Sequence, residues 1–283
     1  MKNQKENLKV MLGEMLDSVR EKSPLVHNIT NYVTVNDCAN ILLACGASPI
    51  MADDIRDVCD ITKICSSLNI NIGTLNKNTI KSMFKAGSIS NKLSHPVLLD
   101  PVGAGASVLR TNTAKRLIKK VKISVIRGNI SEIKALALGK NTTKGVDADA
   151  LDIVTDENID SVISFAKDFS NETGAVIVIT GAIDLVVDKD NAYVIKNGHP
   201  MMSKITGTGC MLSAMMSAYI AANPNDTTKA CAAAVCAMGL CGERAYKRLG
   251  AEDGNSTYRN MIIDEVYNLD AKKLDEGAKY EMR

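Results

Sequence analysis

Short apolar runs alternate with helix-like stretches along the first two thirds of the sequence, and this alternation restricts the fold strongly. The clearest run, residues 176–179, is Val-Ile-Val-Ile: four β-branched residues without polar alternation, typical of a strand buried on both faces. Similar runs predict further strands at 24–29, 47–52, 68–73, 96–101 and 121–126. Strands that alternate with helices build βαβ units. The pattern therefore predicts an α/β fold, with a mostly parallel sheet covered by helices on both sides.

The remaining segments complete this prediction. Periodic apolar residues and helix-start residues predict helices at 3–22, 30–45, 53–67 and 74–92, and one that starts at Ser131. After Gly181, two apolar runs at 184–188 and 192–195 flank Lys-Asp-Asn and predict a hairpin at the edge of the sheet. From Gly209 the pattern is helical to the end, with loops predicted at 142–149 and 250–256. No linker or repeat interrupts the chain, so we expect one domain over residues 1–283.

Composition limits the classes of partner. The net charge is +2 and no dense basic block occurs, which argues against a nucleic-acid or acidic-membrane partner. No apolar run approaches the roughly 18 residues that span a bilayer, and the first 20 residues lack a signal-peptide core, so a cytoplasmic location is expected. None of the eight cysteines forms a CxxC pair. We expect seven of them to be buried, reduced residues, with Cys210 as the exception.

One helix start has the features of an active centre. Two glycines, Gly207 and Gly209, precede an apolar run of small residues that predicts a buried helix. The free N–H groups and the positive dipole end at such a helix start favour an anion. Cys210 follows directly, where the dipole should lower the pKa of its thiol. The structural alternative is a helix start capped by Thr206 or Thr208.

Polar residues follow several of the predicted strands, and ligands of open α/β sheets bind outside the carboxyl ends of the strands. Asp100 and Glu132 are carboxylates that suit Mg²⁺, and Arg127 has a planar fork that suits a phosphate. Each also has a structural alternative: Asp100 as a strand end before a proline, Glu132 as a dipole-favoured acid, and Arg127 as a surface ion pair. Further strand-end candidates are Asn31, Met51 and Thr180.

Missing motifs exclude several classes of enzyme. No GxxxxGK[ST] sequence occurs, which excludes a P-loop enzyme, and no GxGxxG follows the first strand, which disfavours a dinucleotide oxidoreductase. Neither GxSxG nor HExxH is present.

Seven segments together resemble hydroxyethylthiazole kinases, in the same order and over roughly residues 10–245. HNITN at 27–31 and GASPIMA at 46–52 are the most specific to this family within the wider ribokinase-like group. The matching segments are residues 24–33, 46–52, 71–75, 99–106, 126–129 with Glu132, 178–181 and 206–210.

The resemblance implies a ribokinase-like α/β/α sandwich, assembled as a homotrimer with active sites at subunit interfaces. It implies transfer of the ATP γ-phosphoryl group to the primary alcohol of 4-methyl-5-(2-hydroxyethyl)thiazole, within thiamine salvage. By position, Met51, Gly207 and Asn31 resemble thiazole-binding residues, and Arg127, Thr180 and Gly209 resemble ATP-binding residues. Asp100 and Glu132 resemble the carboxylates that hold Mg²⁺.

Cys210 stands where sugar kinases of the wider group carry the aspartate that serves as the base for the alcohol. Because phosphoryl transfer has a loose transition state, a base contributes less than positioning and charge neutralisation do. The hypothesis is therefore that Cys210 is a weak catalytic base.

Three other functions remain open at this stage. A kinase for hydroxymethylpyrimidine or pyridoxal would carry aspartate at position 210. A cysteine hydrolase or acyltransferase would use Cys210 as nucleophile, with His27 or His199 as its partner. A non-catalytic nucleotide-binding regulator would bind ATP without turnover.

Overall fold

The computed structural model describes residues 2–137 and 153–283, and within them nine strands form one sheet. The loop predicted at 142–149 lies outside the described residues. The strands are β1 (Leu25–Ile29), β2 (Ser48–Met51), β3 (Ser67–Asn71), β4 (Val97–Asp100), β5 (Val125–Gly128), β6 (Val176–Ile179), β7 (Asp184–Val187), β8 (Ala192–Ile195) and β9 (Tyr280–Met282). Their order is β2-β1-β3-β4-β5-β6-β7-β8-β9, parallel from β2 to β6 and antiparallel beyond.

Helices cover both faces of the sheet. They are α1 (Lys2–Lys22), α2 (Val35–Cys45), α3 (Val58–Ile64), α4 (Lys77–Lys92), α5 (Val108–Lys120), α6 (Ile130–Ala137), α7 (Ile159–Thr173), α8 (Thr208–Ala222), α9 (Thr227–Arg248), α10 (Asn255–Tyr267) and α11 (Ala271–Gly277). Successive strand residues enter opposite cores: Val178 packs with α8 and α9, whereas Ile177 packs with α6 and α7. This confirms the predicted three-layer arrangement and explains the unalternated apolar strands.

The fifth strand begins four residues later and ends two residues later than predicted. Residues 121–124 connect α5 to the sheet, and the Ser124 hydroxyl accepts the Val97 N–H at 3.2 Å. The strand itself contains Arg127. The apolar residues alone predicted the wrong boundaries for this strand, because it includes Arg127 and Gly128, which do not belong to an apolar run. Helix α5 lies between β4 and β5, in a stretch for which the sequence predicted no element.

Two helices begin five residues later than predicted because polar side chains bind the local backbone. Asn31 Oδ1 accepts the Thr34 N–H at 3.1 Å, and Asp54 Oδ1 accepts the Arg56 N–H at 2.8 Å. Such bonds hold residues 30–34 and 53–57 in turns, so α2 begins at Val35 and α3 at Val58. Asn31 therefore lies in a loop at the carboxyl end of β1.

The prediction that the chain is helical to its end is wrong, because the last element is the strand β9. Ala192 and Arg283 exchange backbone hydrogen bonds at 2.9 and 3.0 Å, and β9 pairs with β8. The predicted hairpin of β7 and β8 is confirmed, but β9 extends the sheet by one strand beyond it. A three-residue strand that depends on distant pairing leaves little signal in the sequence.

All eight cysteines are free, and six are buried. Cys59 is half-buried, contrary to the expectation of seven buried cysteines, and so is Cys210. Burial raises the pKa of Cys38 and of Cys45 to about 12, as expected for cysteines that act as small apolar residues. Among the described residues, no helix is both long and apolar enough to cross a bilayer.

Candidate active site

The strand order reverses next to β1. Following the chain, β2 is added on one side of β1 and β3 on the other. At such a switch point the loops leave in opposite directions and open a crevice outside the carboxyl ends of the strands. Asn31, just beyond β1, and Asn71, the last residue of β3, lie at this point. Helix α8 brings Cys210 to the same place.

Two side-chain amides surround the sulfur of Cys210. Asn31 Nδ2 lies 3.3 Å from Sγ and Asn71 Nδ2 lies 3.2 Å from it. Backbone donors fix both amides: Asn31 Oδ1 accepts the Thr34 N–H, and Asn71 Oδ1 accepts the Gly73 N–H at 2.9 Å. Because a backbone N–H can only donate, each amide must turn its NH₂ group to the sulfur. The sulfur therefore accepts hydrogen bonds from two oriented donors.

Asp100 lies beneath this group and is fully buried at the end of β4. Its Oδ2 accepts hydrogen bonds from Asn71 Nδ2 at 3.0 Å and from Ser213 Oγ at 2.8 Å, and lies 3.5 Å from Arg127 Nη1. Burial raises the pKa of Asp100, Arg127 opposes that rise, and the charge of Glu132 adds to it. Asp100 Oδ1 has no partner among the described residues, which marks a place for a further ligand.

The three residues predicted to bind ATP line one cavity of about 470 Å³. Arg127 Nη2 donates to Thr180 Oγ1 at 2.5 Å, and an added Cβ on Gly209 would lie 2.5 Å from Arg127 Nη1. The guanidinium thus fills the space that a side chain at 209 would need. The volume is ordinary for a small-molecule site, and the cavity brings a cation, a hydroxyl and a helix start together.

Helix α8 begins at Thr208, and its N-cap residue Gly207 has φ of 92°, in the left-handed region. Gly207 offers no side chain to cap the helix, so the predicted alternative of a capping threonine is wrong. The first-turn N–H groups are left to bind an anion. A Cβ on Gly207 would collide with the side chain of Thr34. Only glycine lets the start of α8 approach the loop that carries Asn31.

Glu132 is held next to this centre without joining its hydrogen bonds. Oε1 accepts the Gly103 N–H at 2.8 Å, and Oε2 accepts the Asn129 N–H at 2.9 Å. In return, Asn129 Oδ1 accepts the Glu132 N–H, which closes a capping arrangement at the start of α6. Glu132 therefore has the structural role considered for it, as an acid in the first turn of α6. Its charge also raises the pKa of Asp100.

The expected lowering of the pKa of Cys210 is wrong. Burial raises the pKa of this thiol above its ordinary value, and the nearby charge of Asp100 raises it further. Hydrogen bonds from Thr34 and Asn31, and the charge of Arg127, act in the opposite direction but do not prevail. The helix start alone suggested a thiolate, because the sequence does not reveal that the site is buried.

The remaining candidates occupy different places. Met51 ends β2, is half-buried and packs against the core that contains α8. His27 is buried: its Nε2 donates to the Ala52 carbonyl at 2.8 Å, and its Nδ1 lies 3.1 Å from Thr62 Oγ1. His199 stacks on Tyr246 with ring centroids 3.5 Å apart. Neither histidine has Cys210 as a hydrogen-bond partner, so the structure offers no support for a cysteine–histidine hydrolase.

Sequence analysis missed three side chains of this site. Asn71 entered the sequence analysis only as the first residue of the matching segment 71–75, and Ser213 lies one helical turn after Cys210. Asp184 lines the cavity, and its Oδ1 accepts the Gly181 N–H at 2.9 Å. Desolvation raises the pKa of Asp184 to about 7, against hydrogen bonding by Gly181 and the charge of Arg127. The spacing of Ser213 from Cys210 was the one signal that could have placed it on the same helical face.

The role of Asn71 in holding the sulfur leads to a test. Asn71→Asp keeps an oxygen for the Gly73 N–H but replaces the donor that faces both Cys210 and Asp100 by a second acceptor. We expect the pKa of Cys210 to rise further, so that its alkylation by iodoacetamide at pH 8 slows about tenfold. Peptide mass spectrometry would follow Cys210 separately from Cys59. Asn40→Asp, on the exposed face of α2, is the control, and an unchanged alkylation rate in Asn71→Asp would refute the contact.

Comparison with known proteins assigns the family. The hydroxyethylthiazole kinase family model matches residues 16–272. The chain belongs to the hydroxyethylthiazole kinase family. The hydroxyethylthiazole kinase of Clostridium acetobutylicum is 68% identical over 271 residues, covering 96% of this chain and 99% of that protein. That of Clostridium beijerinckii is 48% identical over 274 residues, covering 96% and 97%.

Solved structures agree with this assignment. The structure of a hydroxyethylthiazole kinase protein from Pyrococcus horikoshii has a TM-score of 0.85 and 32% identity, and the match covers 96% of this chain and 99% of that one. A ribokinase-like superfamily protein from Enterococcus faecalis has a TM-score of 0.59 and 13% identity, covering 86% of each chain. At that identity the likeness shows the fold alone, and it confirms the predicted ribokinase-like α/β/α architecture.

Proposed function

We propose that the protein transfers the γ-phosphoryl group of ATP to the primary hydroxyl of 4-methyl-5-(2-hydroxyethyl)thiazole, as a kinase of thiamine salvage. One observation supports this proposal in addition to family membership: the first turn of α8 contacts both the cavity and the group around Cys210. Gly209 lines the 470 Å³ cavity with Arg127 and Thr180, and the next residue, Cys210, faces the amides of Asn31 and Asn71. An alcohol held at the sulfur therefore meets a phosphate held at the cavity.

The acceptor side is assigned to Asn31, Met51 and Gly207. Asn31 is buried and its amide is oriented by Thr34, which favours a polar contact of fixed direction. Met51 is half-buried and offers a polarisable apolar surface to a thiazole ring. Gly207 lets the start of α8 lie against the loop that carries Asn31, because a Cβ there would collide with Thr34.

The donor side is assigned to Arg127, Thr180 and Gly209. The Arg127 guanidinium is planar and permanently charged, so it can bind two phosphate oxygens at once. Thr180 Oγ1 fixes its orientation at 2.5 Å. The first-turn N–H groups of α8, among them that of Gly209, have no partners within the helix and are available to stabilise the charge that develops on the transferred group.

Asp100 and Glu132 have the chemistry of Mg²⁺ ligands. Asp100 has one buried carboxylate oxygen without a partner, and Glu132 is oriented by two backbone N–H groups. Kinase sites hold Mg²⁺ through one or two carboxylates plus the phosphates of ATP, so this pair fits the ion. When bound, Mg²⁺ neutralises charge on the phosphate oxygens. Asp100 and Glu132 would hold it from the protein side.

Cys210 is the proposed base, and its high pKa defines how much it contributes. A protonated thiol cannot remove the alcohol proton before phosphoryl transfer, so proton acceptance is late and its effect is small. We expect Cys210→Ala to lower kcat about tenfold to a hundredfold, and Cys210→Asp, whose oxygens can accept from both amides, to retain more activity. Steady-state kinetics with saturating ATP measure this. A Cys210→Ala enzyme with wild-type kcat would remove Cys210 from the mechanism.

The proposed assembly is a homotrimer with active sites at subunit interfaces. Tyr32 is 79% exposed and Val33 is 57% exposed, and both directly follow Asn31 in the loop. Ile55, 40% exposed, lies four residues after Met51. Apolar side chains next to the acceptor site would be covered by a second copy of the chain. Sedimentation equilibrium would measure the assembly.

A cytoplasmic location is proposed from the eight free cysteines, which suit a reducing compartment.

The deciding experiment measures ADP release from Mg-ATP by the purified protein. We expect release that depends on hydroxyethylthiazole and is absent with hydroxymethylpyrimidine or pyridoxal. Release with one of those alcohols instead would change the acceptor. Absence of release with all three would overturn the kinase assignment.

A further inference from the structure

The C-terminal tail, residues 277–283, contacts a wall of the nucleotide cavity. That wall contains Asn197 and Gly198, which follow β8, and Gly239 on α9. The Lys196 N–H donates to the Lys279 carbonyl at 2.9 Å, so the tail runs directly beside this part of the wall.

Asn197 connects the wall to the tail with every polar atom of its side chain. It is 5% exposed; its Nδ2 donates to the Gly277 carbonyl at 3.0 Å and to Glu243 Oε1 at 3.1 Å. Its Oδ1 accepts the Lys279 N–H at 2.7 Å. Since the backbone N–H of Lys279 can only donate, the orientation of the amide is fixed by the tail.

Glu243 on α9 binds Gly198, Asn197 and Lys279. Oε1 accepts the Gly198 N–H at 3.0 Å together with Asn197 Nδ2, and Oε2 lies 2.7 Å from Lys279 Nζ. Burial acts to raise the pKa of Glu243, but the hydrogen bonds from Lys279, Gly198 and Asn197 lower it overall. The carboxylate is therefore charged, and hydrogen bonds to both of its oxygens hold it in place.

The wall itself depends on close backbone approach. Gly198 has φ of 128°, which only glycine adopts easily, and a Cβ on Gly239 would lie 2.7 Å from Asn197 Cβ. Gly198 has no side chain that could hold it in place. The hydrogen bond from its N–H to Glu243 Oε1 holds it against α9.

We propose that Glu243 and Asn197 are positioning residues through which the C-terminal tail, by Lys279, fixes the wall of the nucleotide cavity. The proposal rests on the proposed function only in taking this cavity as the ATP site. It assigns a role to the tail, which carries none of the motifs shared with the family.

The test separates nucleotide affinity from turnover. Glu243→Ala removes the acceptor for the Gly198 N–H and for Asn197, and we expect KM for ATP and the Kd of Mg-ADP to rise about tenfold. KM for hydroxyethylthiazole should stay within about twofold, because the acceptor site is not linked to Glu243. Glu243→Gln keeps one acceptor oxygen and should restore most of the affinity. Calorimetric titration with Mg-ADP gives Kd without any acceptor alcohol.

Glu276→Gln is the matched control, because Glu276 lies in the neighbouring α11 and pairs with Lys272 only at 4.0 Å on the surface. An unchanged Kd in Glu243→Ala, or equal increases in KM for both substrates, would overturn the proposal. If Glu243→Ala does not fold, Lys279→Met decides the matter, with weaker Mg-ADP binding expected and an unchanged Kd as refutation. A wild-type protein that binds Mg-ADP without phosphorylating the thiazole would refute the proposed function and leave this test valid.

Discussion

The Asp100→Asn variant is expected to lose about 10²- to 10³-fold in kcat while remaining as stable as the wild type. Asp100 is the carboxylate next to Cys210, and the amide removes its charge without changing its size. Losing one preorganised electrostatic contact of this kind costs about that factor in other enzymes. Asn71 and Ser213 can still donate to the remaining oxygen.

Stability should not follow activity in this variant. Burial raises the pKa of Asp100 in spite of Arg127, so the charged carboxylate is costly in the folded state and a neutral residue of the same shape is tolerated. Urea unfolding would measure the free energy of unfolding, and steady-state kinetics would measure kcat. Asp168→Asn, on the exposed face of α7, is the control and should change neither. A kcat within about threefold of the wild type would exclude Asp100 from the reaction.

Most of the fold was predictable because its signals are local. The run at 176–179 is apolar without alternation, and its residues do face two separate cores. Glycine and proline placement gave the ends of several strands. Element boundaries failed where a side chain binds the nearby backbone, as Asn31 does with Thr34, because such a bond competes with the helix. The last strand failed because its partner lies about 90 residues earlier in the chain.

The candidate site was predictable as a set of positions but not as a network. The carboxyl-end rule placed Asp100, Arg127 and Thr180 at one edge, and the structure joins them. The pKa of Cys210 was predicted in the wrong direction, because helix position is visible in the sequence whereas burial beside Asp100 is not. The role of Asn71 could not be predicted for a similar reason. It depends on the orientation of the side-chain amide, which the hydrogen bond from the Gly73 N–H fixes.

The second large effect is expected at Gly209. An added methyl group would lie 2.5 and 2.6 Å from the two terminal nitrogens of Arg127, so the guanidinium must move. Moving it breaks the contact with Thr180 and lengthens the 3.5 Å approach to Asp100. We expect Gly209→Ala to lower kcat/KM for ATP about a hundredfold, similar to the loss of one phosphate-binding group.

Helix α8 itself should tolerate the alanine, since alanine favours a helix by about 1 kcal/mol over glycine. The thermal midpoint should therefore stay near that of the wild type although activity falls. Gly254→Ala is the matched control, because a Cβ there meets nothing within 4 Å. Its kinetics should equal those of the wild type.

A double-mutant cycle with Arg127→Ala tests the cause. If Gly209→Ala acts by displacing the guanidinium, it should add little to the loss already caused by Arg127→Ala, because residues that act as a unit are strongly non-additive. Losses in kcat/KM for ATP that multiply would instead mean that Gly209 acts independently, through the N–H groups at the start of α8. In that case the helix start, and not the Arg127–Thr180 pair, would be the main phosphate-binding element of this site.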